Sequence, residues 1–206
     1  MTAGGRFLSF EGIDGSGKST QARALADALR ARGHDVTLTR EPGGSEGAEE
    51  IRRLLLQGDP DRWSATTELL LFTAARRDHL EKTILPALGR GGIVISDRFV
   101  DSTRMYQGLR GGLAAQADLL HDTMIGLDPD LTLLIDIDPD LGLSRARGRG
   151  GEQRFEDMGL SLQRQMRDGF LSLAAAPRFR IIDGAQDADA VAADVLAATL
   201  DHLAGA

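Results

Sequence analysis

No cysteine occurs among the 206 residues. That absence rules out disulfides and thiolate-held metals, and it agrees with a reducing, cytoplasmic setting. Lysine is almost missing: Lys18 and Lys82 are the only two. Long apolar runs are missing too. Stretches such as Leu69–Phe72 and Ile93–Ile95 fall far short of the ~18 residues that span a bilayer, so no membrane partner is expected. The opening Met1-Thr-Ala-Gly-Gly-Arg6 has neither the charged nor the apolar region of a signal peptide. A basic surplus is lacking as well, because the formal net charge is −7. Proteins that track a nucleic-acid backbone show the opposite sign, so no nucleic-acid partner is expected. Without repeats, low-complexity tracts or a linker, residues 1–206 read as one domain. A chain of this length buries roughly 70% of its unfolded surface, which makes a sizeable core without staples.

What is present is an alternation of short apolar runs with helical stretches, the mark of βαβ units and a parallel sheet. Phe7–Phe10, Val36–Thr39, Ile93–Ser96, Leu131–Ile137 and Phe179–Ile182 read as five strands. Helices are expected over Lys18–Arg32, with Ala22, Leu25, Ala26 and Leu29 on one face, and over Glu46–Leu56, Thr66–Leu88 and Ala114–Ile125. Further helices are expected from Asp138-Pro139 to Arg147, over Leu160–Ala174, and from Ala188 to Leu203. Gly33 supplies the stop after the first helix. The fold class is therefore α/β: a five-stranded parallel sheet with helices on both faces.

Gly12-Ile13-Asp14-Gly15-Ser16-Gly17-Lys18-Ser19 fits G-x-x-x-x-G-K-[ST]. By chance this pattern arises in on the order of 1% of chains this long. Here it also follows an apolar strand and opens an amphipathic helix. Glycines let the backbone wrap a phosphate with its N–H groups inward, and the helix adds its positive end. Lys18 is placed to reach β- and γ-phosphates, and the Ser19 hydroxyl to ligate Mg²⁺. Asp14 admits two readings: a solvated loop carboxylate, or a group facing an acceptor and bonding a sugar hydroxyl.

Asp97 and Arg98 close the strand Ile93–Ser96. Ligands of parallel sheets collect beyond the carboxyl ends of strands. Asp97 is thus placed to hold Mg²⁺, directly or through water, and the Arg98 fork to clamp an acceptor phosphate. The plain alternative is a local surface ion pair of little energetic weight. Further on, Arg145, Arg147, Arg149 and Arg154 surround Gly148, Gly150 and Gly151. This reads as a mobile cationic lid over about 148–158, suited to stabilising a moving phosphoryl group and excluding water.

These blocks, in this order and over nearly the whole length, resemble the thymidylate kinases. The resemblance is carried by Gly12–Thr20, by Thr39-Arg-Glu-Pro-Gly-Gly44, by Leu71-Phe-Thr-Ala-Ala-Arg76 and by Asp97-Arg-Phe99. It continues in Ser102-Thr-Arg-Met-Tyr-Gln-Gly108 and Pro129-Asp-Leu-Thr-Leu-Leu-Ile-Asp136. It implies a P-loop kinase with ATP and Mg²⁺ as cofactors, dTMP as acceptor and a homodimeric assembly. Gly12, Ile13, Asp14, Gly15, Ser16, Gly17, Lys18, Ser19, Thr20 and Arg145 would hold ATP. Phe72 would stack on thymine, Arg76 would contact the base or the acceptor phosphate, and Gln107 would bond the base. Ser102, Tyr106 and Pro42 would line that pocket, Asp14 would meet the 3′-hydroxyl, and Arg40 and Arg98 would hold the monophosphate. On residue patterns alone Phe72 reads as core and Gln107 as surface. The loop carries Gly15-Ser16 where another subgroup has arginine, so the resemblance implies a lid arginine, Arg149 or Arg147. Phe99 departs from the family's usual Tyr or His.

The acceptor phosphate is already an anion, so catalysis is positioning plus charge stabilisation by Lys18, Mg²⁺, Arg98 and the lid. Lys18→Ala and Arg149→Ala are each expected to lower turnover far more than stability. Wild-type turnover in folded Arg149→Ala would remove that residue from the mechanism.

Overall fold

Side chains alternate between the two faces of each strand, and this decides how the sheet is covered. The computed structural model describes residues 4–59, 62–109, 111–147 and 159–205. The strands are β1 (Arg6–Glu11), β2 (Val36–Arg40), β3 (Ile93–Asp97), β4 (Leu131–Asp136) and β5 (Phe179–Asp183). They pair in parallel in the order β2-β3-β1-β4-β5. The helices are α1 (Lys18–Arg30), α2 (Glu46–Leu56), α3 (Ala65–His79), α4 (Leu85–Gly89) and α5 (Val100–Thr103). They continue with α6 (Ala114–Leu120), α7 (Pro139–Arg147), α8 (Gly159–Leu173) and α9 (Ala188–Ala204).

Leu8 and Phe10 of β1, Ile93 and Ile95 of β3, and Leu131, Leu133 and Ile135 of β4 share one face. They pack against Ala22, Leu25, Ala26 and Leu29 of α1 and Val191 and Val195 of α9. On the other face Phe7 and Val94 meet Leu80, Ile84, Ala87 and Val100. Leu134 meets Met105, Met166 and Phe170 there. Both faces are covered, which is why these strands read as near-continuous apolar runs.

All five expected strands form. The helix expected over Thr66–Leu88 is α3, a widened π turn at Leu80–Ile84, and α4. Two elements were not legible: α5 and the π turn Arg104–Leu109. Their inward side chains are largely polar, with Asp101, Ser102, Thr103 and Gln107 all buried. Hydrophobic periodicity cannot find a helix buried on its polar face.

Register positions the site. Phe10 of β1 and Arg40 of β2 both stand level with Asp97 of β3. Beyond them Arg98 N donates to Phe10 O at 2.9 Å and Glu41 N to Asp97 O at 3.0 Å. Three strand ends thus deliver the phosphate loop, Arg40-Glu41-Pro42 and Asp97-Arg98 to one edge. Because Leu133 is fully buried in the sheet centre, Leu133→Ala should cost about 2–5 kcal/mol. The denaturant midpoint should drop with an unchanged slope, and a loss below about 1 kcal/mol would contradict this account of the core.

Candidate active site

The loop Gly12–Gly17 leaves β1 and turns into α1 through three positive-φ glycines. Gly15, at φ +78°, lies so close to Gly142 of α7 that any Cβ would run into the Gly142 carbonyl. Lys18 is buried, and its Nζ donates to Ile13 O at 2.7 Å and to Ser16 Oγ at 3.3 Å. Burial, reinforced by Arg98, pushes its pKa down to about 8 against the pull of Asp14, Asp97 and Glu11. The Ser19 hydroxyl donates to Asp97 Oδ2. The two oxygens proposed for Mg²⁺ therefore meet.

Arg98 has φ +72°, the only positive value among the described non-glycine residues. Its Nη2 donates to Asp14 Oδ1 at 2.5 Å, and its Nη1 to Ser102 Oγ at 2.9 Å. Tyr106 Oη donates to the other Asp14 oxygen at 2.8 Å. Burial alone would raise the Asp14 carboxyl, but the Arg98 and Lys18 charges win and hold it below its ordinary value. Burial lifts Tyr106 well above the usual phenol range, so it stays a proton donor despite Arg98. Arg98 is itself raised, because its anionic neighbours outweigh desolvation. The solvated reading of Asp14 and the local-pair reading of Asp97 and Arg98 both give way to this geometry. Each charge of the adjacent pair bonds a partner on the phosphate loop or α1.

A second buried cluster faces the cleft from β2 and α3. Glu41 Oε2 accepts from Arg76 Nε at 2.7 Å, with each side chain only 4% exposed. His79 bonds Glu41 Oε1 through Nδ1 at 3.1 Å and Thr39 Oγ1 through Nε2 at 2.7 Å. Arg76 Nη2 donates to Thr103 Oγ1 at 2.8 Å. The guanidinium also stands 5.1 Å over the Phe99 ring, and Phe99 packs edge-on to Phe7 at 4.9 Å. Gly44, at φ +88°, allows the turn to close here, since a Cβ would collide with His79 and Thr39.

Between the two clusters lies a cleft of about 400 Å³. Asp14, Gly15, Gly17, Lys18, Ser19, Asp97 and Arg98 form one side, and Arg40, Pro42, Phe72, Arg76, Ser102, Tyr106 and Gln107 the other. Phe72 is half-buried on the cleft wall, not in the core. Gln107 is buried rather than at the surface, and its Oε1 has no partner among the described residues. Ser102 serves Arg98 as much as it lines the pocket. Arg40 reaches the cleft from an exposed position and pairs with Glu49 at 3.1 Å. Gly12, Ile13, Ser16 and Thr20 shape the loop and first turn without lining the cleft, and Arg145 stands apart, donating to Gly184 O at 2.8 Å. Arg149 and the rest of 148–158 lie outside the described residues, as does the side chain of Arg147.

Sequence reasoning missed Glu11, Glu41, Arg52, Thr103 and Gln163. Arg52 lines the cleft and donates to Pro42 O. Gln163 of α8 is buried near Asp14 and helps lower its carboxyl. Glu11 closes the apolar strand β1 and Glu41 directly follows β2, and an acid at the carboxyl end of a strand is the one hint the sequence offers for either.

Glu11 is fully buried. Desolvation, then the neighbouring Asp101, raise its pKa from 4.5 to about 7 against Arg98 and the hydrogen bonds from Ser102 and Phe99. A raised folded-state value means the folded chain holds this proton more tightly than the unfolded chain. The stability it contributes is full below about 4.5 and lost as pH rises through about 7. Glu11→Gln should lack this loss, so its stability relative to the parent should improve across that window. A constant difference between the two stability–pH curves would contradict the assignment.

Comparison with known proteins follows the same lines. A family model described as thymidylate kinase matches residues 10–195. The thymidylate kinase of Ruegeria pomeroyi is 70% identical over 207 residues, covering 98% of each chain. That of Caulobacter vibrioides is 52% identical, covering 93% of this chain and 94% of its own. The crystal structure of thymidylate kinase from Ehrlichia chaffeensis superposes with a TM-score of 0.79 at 35% identity, covering 95% of this chain and 99% of that one. A phosphate loop, an acceptor-side cleft and this degree of likeness lead to one conclusion: the chain belongs to the thymidylate kinase family, whose members are nucleoside-monophosphate kinases.

Proposed function

We propose that this chain transfers the γ-phosphoryl group of ATP to the 5′-phosphate of dTMP, giving ADP and dTDP for dTTP synthesis. The observation that carries this reading is the position of Arg98. It stands between the Lys18–Ser19 cradle and the Phe72–Arg76–Gln107 wall, and it bonds groups on both sides. Backbone N–H groups of the loop and Lys18 bind the β- and γ-phosphates. Arg98 and Arg40 bind the acceptor phosphate and bring it into line. The Ser19 hydroxyl and the Asp97 carboxylate are hard oxygen donors that fit Mg²⁺, which when bound would neutralise phosphate charge. Asp14, held by Arg98 and Tyr106, meets the 3′-hydroxyl of the sugar.

Phe72 stacks on the base, Pro42 packs beside it, and Gln107 bonds thymine through its buried oxygen, which has no partner among the described residues. Arg76, fixed by Glu41 and Thr103, contacts the base edge. A lid arginine, Arg149 or Arg147, reaches the transferring group. The shut approach of Gly15 to Gly142 supports that source, since the loop has no room for a side chain there. Arg145, bonded to Gly184 ahead of α9, borders the side expected to take the ATP base. One domain spans residues 1–206, with its lid at about 148–158. The homodimer and the cytoplasmic setting follow the family resemblance. The acidic net charge of −7 supports a small-molecule acceptor over nucleic acid.

The test is ADP formation from ATP and Mg²⁺ across dTMP, dUMP, dCMP, CMP, UMP, AMP, GMP and thymidine. dTMP should give the highest kcat/KM. Gln107→Leu should narrow that preference by about 10-fold or more, the scale expected when a buried polar contact to substrate is lost. Preference for another monophosphate would discard the thymine assignment. No turnover with any acceptor would discard phosphoryl transfer.

A further inference from the structure

β1 ends in a carboxylate that the reaction scheme above does not use. Glu11 is fully buried immediately before the phosphate loop. Its oxygens accept three hydrogen bonds: from Phe99 N at 2.8 Å, Ser102 N at 3.2 Å and Ser102 Oγ at 2.6 Å. All three donors are neutral. A second fully buried carboxylate, Asp101, lies nearby and is taken up by Arg104 and Arg178 at 2.8 Å. Burying an acid on neutral donors beside another acid is unfavourable, and an apolar side chain would fill the space more cheaply. Stability therefore does not explain Glu11.

What Glu11 holds is the turn that presents Arg98. That residue sits at φ +72°, a left-handed conformation that a long side chain adopts only when its surroundings impose it. Arg98 N is tied to Phe10 O at 2.9 Å, one residue before Glu11. The next amide, Phe99 N, is tied to Glu11 itself. The side chain is held through the same acid. Ser102 Oγ gives its proton to Glu11 Oε2, which leaves its lone pairs to accept from Arg98 Nη1 at 2.9 Å. One carboxylate thus fixes the backbone of Arg98 through Phe99 and its guanidinium through Ser102.

We infer that Glu11 is a positioning residue for acceptor recognition: through the Phe99 amide and the Ser102 hydroxyl it sets the geometry in which Arg98 meets the acceptor phosphate. This rests on the reading that Arg98 binds that phosphate. Glu11→Gln keeps the size and one carbonyl oxygen but puts an amide N–H₂ on Ser102 Oγ, which then competes with Arg98 for the same lone pairs.

The experiment uses the full chain and measures kcat/KM for dTMP alongside equilibrium ATP affinity without acceptor. Glu11→Gln should lower kcat/KM for dTMP by about tenfold or more through loss of acceptor binding, with ATP affinity unchanged within about twofold. Ser102→Ala should show the same split, and the double variant should fall little further than the worse single, because the two act in series. Equal damage to ATP and dTMP would assign Glu11 to general support of the loop and overturn the proposal. So would an unaffected dTMP reaction, or full additivity in the double variant. Should Glu11→Gln not fold, Ser102→Ala decides alone: unaltered kcat/KM for dTMP would overturn the relay. A wild-type chain that does not phosphorylate dTMP would fail the proposed function instead, and the same comparison would then be made with whichever monophosphate it accepts.

Discussion

The guanidinium of Arg98 is the charge around which this cleft is organised. It sits at the end of a buried strand in a backbone conformation that most side chains avoid. It touches the phosphate loop at Gly12 and Asp14, and it touches α5 and the following π turn at Ser102 and Tyr106. Its charge acts on the neighbouring ionisations: with Lys18 it holds Asp14 anionic, and it adds to the burial that lowers the Lys18 pKa. Tyr106 keeps its proton because burial and the Asp14 charge outweigh the cation. Without that cation, the Asp14 carboxylate would lose the largest of the influences that hold its pKa down, leaving Lys18, Tyr106 and Gln163 to offset its burial.

The sheet makes this possible by register. Parallel strands of similar length end together, so β1, β2 and β3 release their loops at one height. A phosphate cradle, a cis Glu41–Pro42 corner and the Asp97-Arg98 pair then face one another without long excursions of the chain. The apolar layers on both faces are ordinary, and their role is to keep those three ends level.

Much of this was legible in the sequence. The five strands announce themselves as apolar runs, and the cradle through glycine spacing and its lysine. Phe72 illustrates the limit: its helix looks apolar throughout, and only the packing of α3 turns the ring toward the cleft. Gln107 is the converse case, a polar residue in a polar stretch that the fold buries. The region from Asp101 to Gln107 hides its helical turns because they are anchored by ion pairs and hydrogen bonds rather than by grease. Glu11 and Glu41 were overlooked for a related reason. A carboxylate at a strand end reads as the start of a loop, and nothing local distinguishes one that the fold will enclose.

The contact of Gly15 with Gly142 also bears on how such a protein can change over generations. A cationic side chain at position 15 would have to displace the α7 backbone, and α7 runs directly toward the segment where the lid is expected. A single substitution at position 15 therefore cannot add a cation to the loop without a shift of the α7 backbone. The helix would first have to withdraw. Two abutting glycines thus lock what residue 15 can become unless α7 moves with it.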